Sequence, residues 1–387
     1  MPLTRRSFVS ALGAAGAAST VPWLSARGRE AFPAGSAGLT RGTGNGTRAG
    51  AAPLIRLDSN ENPHGPASDA IDAVMRAFGD ANRYPDSAED ALRAAIAAHH
   101  RVSVESILLG CGSTEILMVV TEALTSRTRH LVTIAPSFET TASTAQRMGT
   151  EVRAIVVDRA MRADLDAMLA QAAGAGLVYL CNPNNPTGTI NSSGDVAGFA
   201  AAVTARSPVS HVVIDEAYFE YVDDPSYATA IPLALSNPRV IVARTFSKVH
   251  GMAGLRAGYA VAAPDTIKKL EPYRVPSGIN ALVGAAAMAS LELPEHLERQ
   301  RALNRAARDF ATRAMSRLGF SIVPSHANFF LTDIRRDPKA FQAACKARGV
   351  AVGRHFPPLK THARISIGTM PEMEQAMGII SEILKAT

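Results

Sequence analysis

Between Ile107 and Val261 the chain repeats one pattern, a short apolar run followed by a longer segment of helical character. Ile107-Leu108-Leu109 and Leu131-Val132-Thr133-Ile134 are strand-length and read as buried strands. Val152 to Val157, Leu177 to Leu180, His211 to Ile214, Val240 to Ala243 and Gly258 to Val261 continue the set. Strands alternating with helices in this way indicate an α/β class, with a mostly parallel sheet covered by helices on both faces. Ser87-Ala88-Glu89-Asp90 opens the first of these helices with a start like a capping box. After about Pro276 the character changes. Helical stretches Ile279 to Leu291 and Pro294 to Leu318 lead into apolar runs Phe320 to Val323 and Asn328 to Leu331. A helix near Pro338 to Arg348 and strands near Val350 to Val352 and Arg364 to Ile367 complete a smaller α+β domain.

The first fifty residues are of a different kind. Thr4-Arg5-Arg6-Ser7-Phe8-Val9 is a twin-arginine pattern, followed by a mild apolar run that ends near Leu24. That run is too short and too weakly apolar to stay as a membrane anchor. Ala15, Ala17 and Ala18 offer a small-residue cleavage site. The expectation is a signal peptide over residues 1–30 and export to the periplasm, or a cytoplasmic protein if the signal is not used. Residues 31–52, rich in Gly, Ala, Thr and Arg, read as a flexible linker. Six arginines against Glu30 alone put +5 of the formal +6 charge in this leader, leaving 34 basic and 33 acidic residues beyond it. The basic balance is therefore no footprint for nucleic acid. Three cysteines without a C-x-x-C spacing make neither a disulfide framework nor a zinc site, and no metal is expected. They read as free, buried thiols, with a single pairing left open.

The chemistry gathers at strand ends. Asp215 closes the apolar run Val212-Val213-Ile214, so its carboxylate should project into the crevice at the carboxyl edge of the sheet. Lys248 follows Thr245-Phe246-Ser247, with Arg256 eight residues on. Gly112-Ser113-Thr114 follows one strand and opens a helix, whose N–H groups and dipole favour an anion. Taken singly, Lys248 is an ordinary loop lysine, Asp215 a helix cap and Asn184-Asn185-Pro186 a turn. Together they supply a lysine for a Schiff base, an acid for a pyridinium nitrogen, and an arginine with hydroxyls for a phosphate. That is the set pyridoxal 5'-phosphate (PLP) requires.

Seven short motifs stand in sequence order: Asn60-Glu61-Asn62-Pro63, Arg83-Tyr84-Pro85, Gly112-Ser113-Thr114-Glu115, Asn184 to Gly188, Asp215-Glu216-Ala217-Tyr218, Ser247-Lys248 and Ala363 to Gly368. In this order, from about Leu57 to the C-terminus, the chain resembles the class I/II PLP-dependent aminotransferases, most of all the histidinol-phosphate aminotransferase branch. The resemblance implies the fold type I architecture: an N-terminal arm (53–85) joining the small domain, a large PLP-binding domain (86–275) and a small C-terminal domain (276–387). It implies catalytic roles for Lys248, Asp215 and Tyr218. Asn185 and Tyr218 would bond the ring's phenolic oxygen, and Phe138 would stack on the ring. Gly112, Ser113, Thr114, Thr245, Ser247 and Arg256 would hold the phosphate. Tyr84 would reach the phosphate of a neighbouring subunit, which implies a homodimer with shared sites. Arg364 would take the substrate carboxylate and Arg354 a second substrate group, although a solvated loop arginine reads equally well there.

His64 stands where relatives commonly place a tyrosine for substrate contact. That departure and the leader point away from histidinol phosphate, toward amino-acid transamination with glutamate and 2-oxoglutarate as one pair. The alternative is a PLP-dependent decarboxylase or lyase on the same scaffold; a non-catalytic PLP-binding protein lacks support, because the catalytic set has no gap.

Overall fold

The computed structural model describes residues 54–386. The expected twin-arginine leader and linker lie outside the described residues. The strands are β1 (Ile55–Leu57), β2 (Ile107–Gly110), β3 (Leu131–Ala135), β4 (Val152–Val156), β5 (Leu177–Cys181) and β6 (His211–Asp215). They continue as β7 (Val240–Thr245), β8 (Gly258–Ala262), β9 (Phe329–Asp333), β10 (Val350–Val352) and β11 (His362–Ser366).

Seven strands form one sheet in the order β2-β8-β7-β6-β5-β3-β4. All neighbours are parallel except β8, which runs antiparallel to both β2 and β7. Because side chains alternate along a strand, the two faces carry different sets. Val178, Leu180, Val212, Ile214 and Val242 enter one core, with the helices Asp86–His100, Ser193–Arg206 and Ala281–Leu291. Leu177, Tyr179, Cys181, Val213 and Ala243 enter the other, beneath the helix Ser113–Leu124. A one-residue slip of β6 would turn Asp215 into the first core and Ile214 toward the site. With each buried aliphatic side chain contributing about 1.5–3 kcal/mol, the register is firmly set.

A separate core collects Ile55, Leu57, Ala311, Met315, Phe330, Phe341, Val352, Ile365 and Ile380. Here β1 pairs in parallel with β10, Ile55 opposite Val350, while β9 and β11 form an antiparallel pair. Residues 279–287, on the C-terminal side of the expected boundary at 276, pack in the core of the large sheet. Among the described residues, no helix is long and apolar enough to cross a membrane.

Two local expectations are corrected. Ser87 caps nothing: its helix begins at Asp86 behind Pro85, without a side-chain cap bond. The capping box is at Thr369 and Glu372 instead, opening the helix Met370–Lys385. The apolar run Phe320 to Val323 forms a single bridge, Ile322 to Thr332, on the edge of β9 that β11 leaves free. Finally, all three cysteines are free, but only Cys181 and Cys345 are buried; Cys111 is exposed at the mouth of a turn.

Candidate active site

At the carboxyl edge of the large sheet, a cavity of about 560 Å³ opens between the two cores. Strand register explains its floor. Cys181 lies opposite Asp215, and Tyr179 opposite Val213, so Tyr179, Cys181 and Asp215 share one face. From there the Tyr179 hydroxyl donates to Asp215 Oδ2 at 2.9 Å, and the Ala217 N–H donates to Oδ1 at 3.1 Å. Burial pushes the Asp215 carboxyl up to about 6, while these two donors and the Lys248 cation oppose the rise. Asp215 is thus an ionised, fully oriented acceptor at neutral pH. It suits a protonated ring nitrogen.

Lys248 stands in the turn after β7, its Nζ donating to the Asn60 carbonyl at 3.3 Å. Burial first, then the Arg364 guanidinium, lowers its pKa to about 8; Arg256 adds to the fall, and Glu61 and Asp215 oppose it. Against an ordinary lysine near 10.4, that raises the free-amine fraction at neutral pH by roughly two orders of magnitude. Free amine is the form that attacks an aldehyde or accepts a proton.

The anion end is built from backbone. Gly112 caps the helix Ser113–Leu124 with φ +75°, and a Cβ there would stand 2.2 Å from Arg256 Nη2. Only glycine tolerates both the left-handed backbone and this close approach. Arg256 is held by the Ala253 carbonyl at 3.0 Å and the Ser247 hydroxyl at 3.2 Å, with Thr114 Oγ1 at 3.4 Å. Thr245 Oγ1 donates to Ser247 Oγ at 2.9 Å. A guanidinium, hydroxyls and a helix N-terminus meet here, in the same cavity as Asp215 and Lys248. The residues present fit a phosphorylated pyridine aldehyde.

Phe138, Asn185 and Tyr218 also line the cavity. Tyr218 OH accepts from Asn60 Nδ2 at 3.0 Å, and burial raises its pKa. Arg364 enters from β11, where the pleat turns it inward between Ala363 and Ile365. Its Nη1 donates to Asn185 Oδ1 at 2.8 Å, and its Nη2 bonds the Asp58 carbonyl. The buried Nε has no hydrogen-bond partner among the described residues. Burial lowers the guanidinium to about 10. A buried cation that lines the cavity suits a carboxylate or phosphate. Arg354 lines the outer cavity and pairs with Glu139.

Two residues of the expected set lie outside this chain's own cavity lining, one of them, Tyr84, as its expected reach to a neighbouring subunit requires. Tyr84 is 87% exposed and does not line the cavity of its own chain. His64 is outside the lining too, its backbone N–H donating to Asn62 Oδ1 at 3.0 Å. Conversely, four residues that sequence reasoning did not single out as site residues belong to the site. Asn60 carries Lys248 and Tyr218, Tyr179 orients Asp215, Glu139 faces Arg354, and Phe356 packs beneath both arginines. The register of β5 against β6 would have revealed Tyr179. For Glu139 no local signal exists.

The aminotransferase class I and II family model matches residues 52–380. The histidinol-phosphate aminotransferase of Symbiobacterium thermophilum is 38% identical over 326 residues, covering 83% of this chain and 88% of that protein. Its counterpart in Bacillus subtilis (strain 168) is 35% identical over 337 residues, 86% of this chain and 92% of that protein. Among solved structures, the histidinol-phosphate aminotransferase from Sinorhizobium meliloti in complex with pyridoxal-5'-phosphate superposes with a TM-score of 0.80 at 28% identity. That match covers 86% of this chain and 91% of the other.

Proposed function

We propose, from the premise that this chain belongs to the class I and II aminotransferases and is a PLP-dependent transaminase, that it moves an amino group between an anionic amino donor and a 2-oxo acid, with Lys248 as the carrier and base. When bound, the cofactor supplies an aldehyde for the amine and an electron-withdrawing ring that stabilises charge at the substrate Cα. Lys248 Nζ would hold the aldehyde, then take the Cα proton and return it on the far side of the transfer. Asp215 would keep the ring nitrogen protonated. Arg364 would fix the substrate's anionic group and so choose which Cα bond faces the ring. The observation that carries this reading is the meeting of a lysine lowered to about 8, a doubly bonded Asp215 and the buried guanidinium of Arg364 in one cavity.

Histidinol phosphate is the first donor to test, because relatives sharing more than a third of their residues carry that name. His64 does not line the cavity, which weakens the case against it. Amino acids paired with 2-oxoglutarate come next. Mixing the holoenzyme with donor alone should release one equivalent of 2-oxo product per site and then stop, as ping-pong transfer requires. Continued release of CO2 would identify a decarboxylase instead. The likeness to an L-threonine-O-3-phosphate decarboxylase, at 20% identity, extends to the fold alone.

A homodimer with Tyr84 reaching the partner's phosphate site is supported by the exposure of Tyr84 beside exposed Met75 and Phe78. Mixing Lys248→Ala chains with Tyr84→Phe chains tests it, since only a shared site regains activity in the mixture. Export rests on Thr4-Arg5-Arg6-Ser7-Phe8. Recovery of a shortened chain from the periplasm would support it, and an intact cytoplasmic chain would refute it.

A further inference from the structure

Arg354 and Arg364 face one cavity but are held differently. Both guanidiniums stand over the buried Phe356 ring, their Cζ atoms 4.3 and 4.7 Å from its centroid. Arg364 is buried and bonded to Asn185 and the Asp58 carbonyl. Arg354 is half-exposed and bonded to the His355 carbonyl and the Glu139 carboxylate. Glu139 precedes the helix Thr140–Arg147 at the position where a side chain often caps the first turn, yet it makes no cap bond. Its carboxylate lines the cavity instead.

We propose that Glu139 is the specificity-determining residue at the substrate end of the site: a tethered counter-ion that occupies Arg354 until the second anionic group of a dianionic substrate displaces it. This deepens the reading above, in which Arg364 takes the first anionic group. A transaminase admits two different substrates to one pocket in turn. When a dicarboxylate or a carboxylate with a phosphate enters, Arg364 takes one anion and Arg354, held at fixed spacing by the shared ring, takes the other. Glu139, with 58% of its side chain exposed, then turns out to water at little cost. When the substrate bears one anion only, Glu139 stays, and Arg354 does not face an apolar side chain unpaired. Such an exposed pair shifts an equilibrium by roughly two- to five-fold, weak enough for a substrate to displace.

Binding of unreactive acids to the holoenzyme tests this. Isothermal titration with glutarate and with butyrate would compare the wild type with Glu139→Gln and Arg354→Gln, both at half-exposed positions. Expected are roughly two- to five-fold tighter glutarate binding in Glu139→Gln with butyrate unchanged, and glutarate falling to the butyrate level in Arg354→Gln. The proposal is overturned if glutarate and butyrate shift together, if Glu139→Gln leaves glutarate unchanged or weaker, or if the wild type binds glutarate no better than butyrate. Binding needs no turnover. A protein that shows this pattern yet transaminates nothing would sink the functional reading and leave the role of Glu139 standing.

Discussion

The two halves of the cavity are finished to different degrees. On the cofactor side nearly every polar group has a fixed partner: both Asp215 oxygens are bonded, and Arg256 is held against a glycine that leaves it no slack. On the substrate side the Arg364 guanidinium lines the cavity, and Arg354 rests in a half-exposed ion pair. The difference matches what each half must accept. One half receives the same ligand in every cycle, so preorganisation costs nothing in versatility. The other receives two substrates in alternation, and its donors are left to be completed by whichever arrives.

The heaviest blow to this contrast would come between the halves. Lys248→Ala should lower turnover roughly a thousand-fold or more. Borohydride reduction of the wild-type holoenzyme should tag Lys248 and no other lysine. A tag elsewhere would dissolve the division at its centre. On the substrate side, Arg364→Ala removes a charge-assisted contact of about 1.5–3 kcal/mol, so KM for anionic substrates should rise roughly ten- to a hundred-fold. Cofactor affinity should barely move, and an equal loss of both would mean the halves are not separate. Gly112→Ala probes the fixed half, because its Cβ must push Arg256 aside. PLP affinity should fall by roughly ten-fold while the KM of loaded enzyme stays put.

The gentlest test is Tyr179→Phe. Removing that donor leaves Asp215 Oδ2 only the long contact from Cys181 Sγ at 4.0 Å and raises its pKa further above about 6. The sign is clear: the ionised carboxylate is lost as pH falls through this pKa, and with it the partner of the ring nitrogen. In the wild type, PLP binding should weaken as pH drops below about 6. In Tyr179→Phe the weakening should begin at higher pH, read by titrating the apoprotein with cofactor across pH. Superimposable curves would show that Tyr179 is structural only.

The large sheet was legible because buried parallel strands must be short and apolar, and each run from Ile107 to Val261 forms a strand close to the expected bounds. Asp215, Lys248 and Gly112-Ser113-Thr114 were legible because each sits where a strand gives way to a turn. Ser87 misled because Pro85 allows the helix to start before it. Asn60 stood inside a quoted motif, yet its function depends on φ +54° and on partners far along the chain. Glu139 and Arg354, 215 positions apart, meet only once both cores have formed.

Asn60 also has a temporal meaning. Its side chain and backbone engage Tyr218, Lys248, Asn328 and Ser366 together. During synthesis, residue 60 leaves the ribosome long before residue 366. The amine at 248 therefore lacks its carbonyl anchor's final setting until residues 328 and 366 have emerged. Reactivity toward aldehydes is thereby tied to the arrival of these later residues, and a nascent fragment that lacks them, even with its central sheet assembled, would be a poor trap for the vitamin.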